Sequence, residues 1–446
     1  MVRALWSTLR FLAADRVAWI ERLGRQYGPF GRERVGQRRL VLVNTPETAH
    51  QVLVEKAEHF VKSPALRIIS RPLLGEGLLT AEGETHRKHR RLVAPAFAHQ
   101  RVMRYAGLMS RHTADMADAW PDGRRDALAD MTRLTLGIVG EALFHADLLG
   151  EADELRQSIT EALRYATQQT RRVIPLPAHW KTPAAMRAHR AIARLDQTIL
   201  GLIAARRASG ADEGDLLSML LLASEEDEQG LRTLSDRQVR DEAMTLFVAG
   251  HETTANAATW ALYLLARHPD AQARLQQEAD RELDGRVPEF TDLVRLPYAL
   301  QVFKEGLRLY PPAFIFSRQV STPVSIGGHA LQAGEIVLMS PYLLHRDPQH
   351  FPRPLEFDPE RFTPEREAAI PRFAYLPFGG GRRVCIGNQF ALMEGQIILA
   401  TLAGRFEFQP VSLKPRRAEA LFTLRPKDGM PLLVKRRKLT PPSASS

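Results

Sequence analysis

One cysteine in 446 residues, Cys385, leaves no intramolecular disulfide to be made, and a reducing, cytoplasmic setting is expected for such a chain. A lone thiol also excludes a zinc site built from clustered cysteines, and no histidine motif accompanies it of the kind a papain-like nucleophile needs. Long apolar runs are missing as well. The opening MVRALWSTLRFLAADRVAWIERLG is interrupted by Arg3, Arg10, Asp15, Arg16, Glu21 and Arg22, whereas a membrane-crossing helix needs about 20 predominantly apolar residues. A signal peptide needs an unbroken apolar core. No transmembrane segment is expected, and Leu5, Leu9, Leu12, Val17 and Ile20 read as one face of a lead-in helix within residues 1–30. Repeats and Gly/Ser linkers are absent too, although length alone would allow roughly two to four domains.

Acidic residues are the scarcer charge: 51 Asp and Glu stand against 61 Lys and Arg, a net charge of +10. Such an excess admits a nucleic acid, an anionic membrane, an acidic protein or an acidic ligand. No nucleic-acid-binding motif or aromatic interleaving supports the first.

The pattern that is present is mainly helical. Helical periodicity covers residues 46–57, 99–119, 125–145, 151–173, 184–208, 269–283 and 388–404. Alternation over 32–44 predicts a small hairpin, and a second strand-rich stretch lies between Arg318 and Met339. Residues 341–377, rich in proline and charge, read as a long ordered loop, and the end of the chain, 436–446, as a frayed tail. The longest predicted helix begins at Ser235, a good N-cap, and stops at His268 and Pro269. Its apolar run is broken by AGHETT, residues 249–254; a glycine inside a helix costs about 1 kcal/mol relative to alanine, and threonine hydroxyls compete for backbone bonds. A mild kink is one reading of that segment and a ligand site is the other.

Cys385 sits in FGGGRRVCIG, residues 378–387, where glycines permit a close approach to a ligand and an apolar helix follows. A helix N-terminus, with Arg382 or Arg383 nearby, favours thiolate over thiol. One axial thiolate to a haem iron requires only one cysteine; a buried structural cysteine is the alternative.

The stretch resembles the haem-binding loop of the cytochrome P-450 family, F-x-x-G-x-R-x-C-x-G, matched by Phe378, Gly381, Arg383, Cys385 and Gly387. EGLR resembles that family's E-x-x-R pair, here Glu305 and Arg308, and FDPERF its meander segment, supplying Arg361. AGHETT is similar to the oxygen-activating segment of its long central helix, and the similarity spans about residues 30 to 435.

The resemblance implies a mainly α fold with small β-sheets, one domain over 1–446, and haem b (iron protoporphyrin IX) between the long central helix and the cysteine-loop helix, with Cys385 on iron. Glu305, Arg308 and Arg361 would be structural, while His86, Arg90, Arg318 and Arg383 would meet the propionates. His86 stands where many relatives have tryptophan. Thr253 would organise protons and water at the oxygen site and Glu252 would relay protons, with Thr254 secondary. That acid and alcohol pair favours a monooxygenase over relatives that rearrange peroxides, isomerise or dehydrate. Ala249, Ala313, Phe314, Ile315, Phe422 and Thr423 would surround a lipophilic substrate such as a fatty acid, terpenoid or steroid, with part of 64–79 as a lid. Electrons would come from a separate ferredoxin or flavodoxin with its NAD(P)H-dependent reductase, steered by HRKHRR, residues 86–91, with Arg87, Lys88 and Arg382 as contacts.

Overall fold

Ser235 starts the helix around which the protein is arranged. Its hydroxyl accepts the Gln238 N–H while the Gln238 side chain accepts the Ser235 N–H, so two orphan donors are met reciprocally. The computed structural model describes residues 15–171, 182–223 and 234–438. The first half of the lead-in segment, the end of the 151–173 segment and the tail beyond 438 lie outside the described residues.

The helices that position the site are α1 (Arg16–Tyr27), α2 (Gly83–Val93), α3 (His99–Asp118), α4 (Ala127–Phe144), α5 (Ala152–Arg171), α6 (Pro183–Ser209), α7 (Asp236–Arg267), α8 (Pro269–Leu283), α9 (Pro297–Leu309) and α10 (Asn388–Arg405). Helix α7, the predicted long helix, extends about 48 Å at 1.5 Å per residue. It is buried nearly all round, polar residues such as Asp241, Glu242, His251 and Asn256 included. Packing, as well as chemistry, explains its glycine: a Cβ on Gly250 would lie 3.0 Å from a Val139 methyl of α4.

The strands are β1 (Phe30–Val35), β2 (Arg38–Val43), β3 (Phe60–Lys62), β4 (Gly123–Asp126), β5 (Phe316–Val320), β6 (Val324–Ile326), β7 (His329–Leu331), β8 (Ile336–Met339), β9 (Phe406–Pro410), β10 (Ala418–Ala420), β11 (Leu424–Pro426) and β12 (Pro431–Arg436). The main sheet has the order β1-β2-β8-β5-β3, and β4-β12-β9 form a second. Strand β2 is buried on both faces. Val41 and Val43 join one apolar cluster and Leu40 and Leu42 another, the period-two alternation of a pleated strand. The largest cluster reaches from Leu73 to Val434, threading α7, α9 and α10 together.

The loop over 341–377 is ordered by short helical turns at Pro341–Leu344, Pro359–Phe362 and Pro364–Ala368. At the C-terminal end the order runs further than the sequence pattern indicates. Arg436 closes β12 against β9, and Arg437 pairs with Asp280 at 2.6 Å, so these two residues are anchored rather than frayed. Among the described residues no helix is long and apolar enough to cross a membrane.

Candidate active site

Between the middle of α7 and the loop ahead of α10 lies a cavity of about 540 Å³. Ala249, Glu252 and Thr253 line one side; Phe378, Arg383, Cys385 and Gly387 line the other. Ala313, Phe314, Ile315, Phe422 and Thr423 complete the apolar wall.

The cysteine loop is held by its backbone. The Cys385 N–H donates to the Phe378 carbonyl at 2.9 Å, and Gly387 caps α10. Gly381 has φ +66°, and a Cβ there would stand 2.0 Å from the Leu53 carbonyl oxygen, so no larger residue fits. Cys385 is exposed, yet the space it faces is the cavity. Burial pushes its thiol pKa up, opposed by the Gly387 N–H and by Arg90. This corrects the sequence expectation. Arg383 turns to Glu82 and the Ala81 carbonyl, Arg382 is exposed, and the nearby charge that favours the thiolate belongs to Arg90, which donates to the Val384 carbonyl at 2.9 Å.

Behind the loop, Glu305 and Arg308 are fully buried and joined by two bonds, of 2.6 and 2.8 Å. Arg361 approaches Glu305 at 3.4 Å, and the Asp358 N–H donates to Glu305 at 2.9 Å. Arg308 also donates to the carbonyls of His345, Pro354 and Glu356. His345 is missing from the sequence reading. Its ring contacts the Arg308 carbonyl at 3.3 Å and accepts the Leu376 N–H at 2.8 Å, linking the ion pair to the strand of chain that enters the cysteine loop.

At one edge of the cavity four cationic side chains converge. Arg90, Arg318 and Arg383 are joined by Lys62, which projects from β3 with its ammonium on the Leu78 and Leu79 carbonyls. The carboxylate among them is Glu82, taken up by Arg383 and by the Lys62 N–H. Burial, then Arg383, pushes Lys62 down to about 6 and Arg318 down to about 10. His86, buried beside them, is pushed down to about 3 and is therefore neutral. Lys62 escaped sequence reasoning because β3 is three residues long, too short for a period-two signal.

Across the cavity, Thr253 donates to the Ala249 carbonyl at 2.8 Å, one turn back along α7. Glu252 instead accepts the Thr423 hydroxyl at 2.8 Å, and the Thr423 oxygen accepts from Asn256 at 3.1 Å. Burial pushes the Glu252 carboxyl up, with the Thr423 hydroxyl opposing. Glu394 of α10, also absent from the sequence reading, is fully buried with neither carboxyl oxygen hydrogen-bonded among the described residues, and burial pushes it up to about 8.

The cytochrome P-450 family model matches residues 5–433. The chain belongs to the cytochrome P-450 family. It is 41% identical to cyclooctatin synthase of Streptomyces melanosporofaciens over 389 residues, covering 86% of this chain and 84% of that protein. Cyclooctat-9-en-7-ol 5-monooxygenase of the same organism is 37% identical over 417 residues, 92% of this chain and 87% of the relative. Pentalenene oxygenase of Streptomyces avermitilis is 32% identical over 415 residues, 90% and 91% of the two chains. The protein is thus a cytochrome P-450 monooxygenase of a haem-dependent family, mainly helical with minor sheets.

The residues of this cytochrome P-450 fit a haem. A buried cluster of cations sharing one internal carboxylate is unfavourable by itself, and an edge bearing two carboxylates would balance it. The thiol faces apolar space large enough for a flat macrocycle and a further ligand. Between residues 64 and 79, Ala65, Leu66, Ser70, Leu74, Leu78 and Leu79 line the same space, which puts the expected lid segment at the cavity wall.

Proposed function

We propose that this cytochrome P-450 binds haem b through Cys385 and inserts one oxygen atom of O2 into a terpenoid. The observation that carries the reading is the Cys385 thiol opening into an apolar cavity whose far wall presents Glu252 and Thr253. When bound, the haem supplies reductive oxygen activation, for which a thiolate ligand favours O–O cleavage. The chain supplies the rest. Arg90, Arg318, Arg383 and Lys62 would balance the propionates, with neutral His86 as a ring donor beside them. Glu305, Arg308 and Arg361 would hold the surroundings of the cysteine loop rigid, each guanidinium being tied to backbone carbonyls as well as to the carboxylate.

Proton delivery falls to Glu252 and Thr253. Burial raises the Glu252 carboxyl and so favours proton uptake there, and the Thr253 hydroxyl, released from the Ala249 carbonyl, can pass a proton on or order water. Ala249, Ala313, Phe314, Ile315 and Phe422 exclude water and orient an apolar substrate. Among fatty acids, terpenoids and steroids, the terpenoid is favoured because the relatives carry names denoting cyclic alkenes and alcohols.

Electrons would arrive from an acidic ferredoxin or flavodoxin with its NAD(P)H-dependent reductase. Arg87, Lys88, Arg91 and Arg382 are exposed, the last of them within the cysteine loop, and complementary charge speeds encounter. The test is reconstitution with haem, a ferredoxin, its reductase, 18O2 and a panel of cyclic terpenes, fatty acids and steroids. One labelled oxygen in a terpene product is expected. Labelled product only from another class would overturn the substrate assignment, and turnover with hydrogen peroxide but not with the ferredoxin system would overturn the monooxygenase route in favour of a peroxygenase.

A further inference from the structure

Both members of the proton-carrying pair are engaged elsewhere. Thr253 is tied back to Ala249, and Glu252 reaches across the cavity to Thr423, with no bond between the two. Thr423 is polarised for this task. Because Asn256 donates to its oxygen, its own hydroxyl proton is left to point at Glu252. All three groups belong to residues that are buried or face the cavity.

Thr423 also lies in the turn between β10 and β11, whose residues Leu421 and Phe422 line the cavity. The turn is fastened by the Leu424 N–H on the Pro312 carbonyl, beside Ala313 and Phe314 of the same wall. A ligand filling this wall therefore presses on the residue that holds Glu252.

We propose that Thr423 is a positioning residue that holds Glu252 away from Thr253 until an apolar ligand displaces the β10–β11 turn, which frees the Glu252 carboxyl to take up a proton. This rests on reading Glu252 as the proton carrier. A hydroxyl donating to a carboxylate favours the charged form, so breaking that bond favours the protonated acid. Release thus converts Glu252 from an acceptor into a donor, and proton delivery waits for the substrate.

Other groups facing Glu252 leave this logic intact. Arg425 of β11 acts in the same direction as Thr423 and is itself paired with Glu419 of β10. His251 turns to the Phe247 carbonyl and is neutral, pushed down to about 4. From α4, uncharged Thr135 meets the His251 carbonyl, and Glu394 of α10 lies beyond Thr254.

Linkage supplies the test, because a ligand that raises a carboxyl pKa must bind more tightly once that carboxyl is protonated. The haem-loaded protein is titrated with cyclooctat-9-en-7-ol across the pH range. Affinity is expected to rise as pH falls, by roughly tenfold for each pKa unit by which binding shifts Glu252. Thr423→Ser should keep the slope; Thr423→Val and Glu252→Gln should flatten it, and Glu394→Gln should leave it in place. A slope that survives in Thr423→Val, or a flat wild type, overturns the proposal. Infrared difference spectra of the ligand-free proteins give a readout independent of the substrate. The Glu252 carboxyl band, identified by its loss in Glu252→Gln, should be more protonated in Thr423→Val than in wild type, and equal protonation also overturns the proposal. Absence of any oxygenation while the band shift holds would sink the monooxygenase reading and leave the Thr423 bond standing.

Discussion

The two walls of the cavity are built in opposite ways. On the cysteine side the polar groups are bound several times over: Glu305 takes Arg308, Arg361 and an amide, Arg308 adds three carbonyls, and His345 bridges to Leu376. On the α7 side each functional group has one exchangeable partner, Ala249 for Thr253 and Thr423 for Glu252. On the proposed reading, the wall that would fix a metal ligand is over-determined, and the wall that would move protons keeps bonds worth about 0.5–1.5 kcal/mol each when neutral. Changes on the first side should therefore cost the cofactor, and changes on the second should cost efficiency.

The sharpest way to break this contrast is at Cys385. Cys385→Ala is expected to abolish the thiolate signature of the reduced, carbon-monoxide-bound protein completely; a retained signature would mean that another residue ligates iron. Next is Arg308→Ala, which strands a buried carboxylate and should cost about 3–5 kcal/mol. Denaturant midpoints and the yield of haem-bound protein measure it, and Arg308→Lys should fail to rescue because the paired geometry needs a guanidinium.

Thr253→Ala tests the opposite wall. Haem content should be unchanged while product formed per reductant consumed falls roughly tenfold or more, the scale of a lost proton-transfer group. Loss of haem instead would erase the distinction between the walls.

The last test is of Lys62, at the border of the two, whose effect appears only as a dependence on pH. Its folded-state pKa, about 6, lies below its unfolded value, so in haem-free protein the unfolded chain binds more protons between those values. Stability from this group is lowest below about pH 6 and rises with pH up to the ordinary lysine range. Melting temperatures of haem-free protein should show that rise, Lys62→Met should flatten it, and haem should suppress it by supplying the missing anions.

Motifs carried the chemistry in the sequence because chemistry constrains residue type at fixed spacing. Cys385 amid glycines, Glu305 three residues before Arg308, and Glu252 beside Thr253 are each local patterns, readable without coordinates. The helix from Ser235 to His268 was equally legible, since capping residues and a proline stop are local too. Lys62, His345 and Asn256 were not legible. Each acts through a partner that is close in space and distant in sequence: Lys62 on Leu78, His345 on Leu376, Asn256 on Thr423.

The sequence by itself determined which atoms are available: one thiol, an acid beside an alcohol, and a surplus of cations. Tertiary structure alone decided which of them face one another, so that Arg90 rather than Arg382 or Arg383 attends the thiol and Glu252 reaches Thr423 rather than Thr253. The physical reason is that a side chain's type is fixed by the chain, whereas its desolvation and its partners are set by what packs around it.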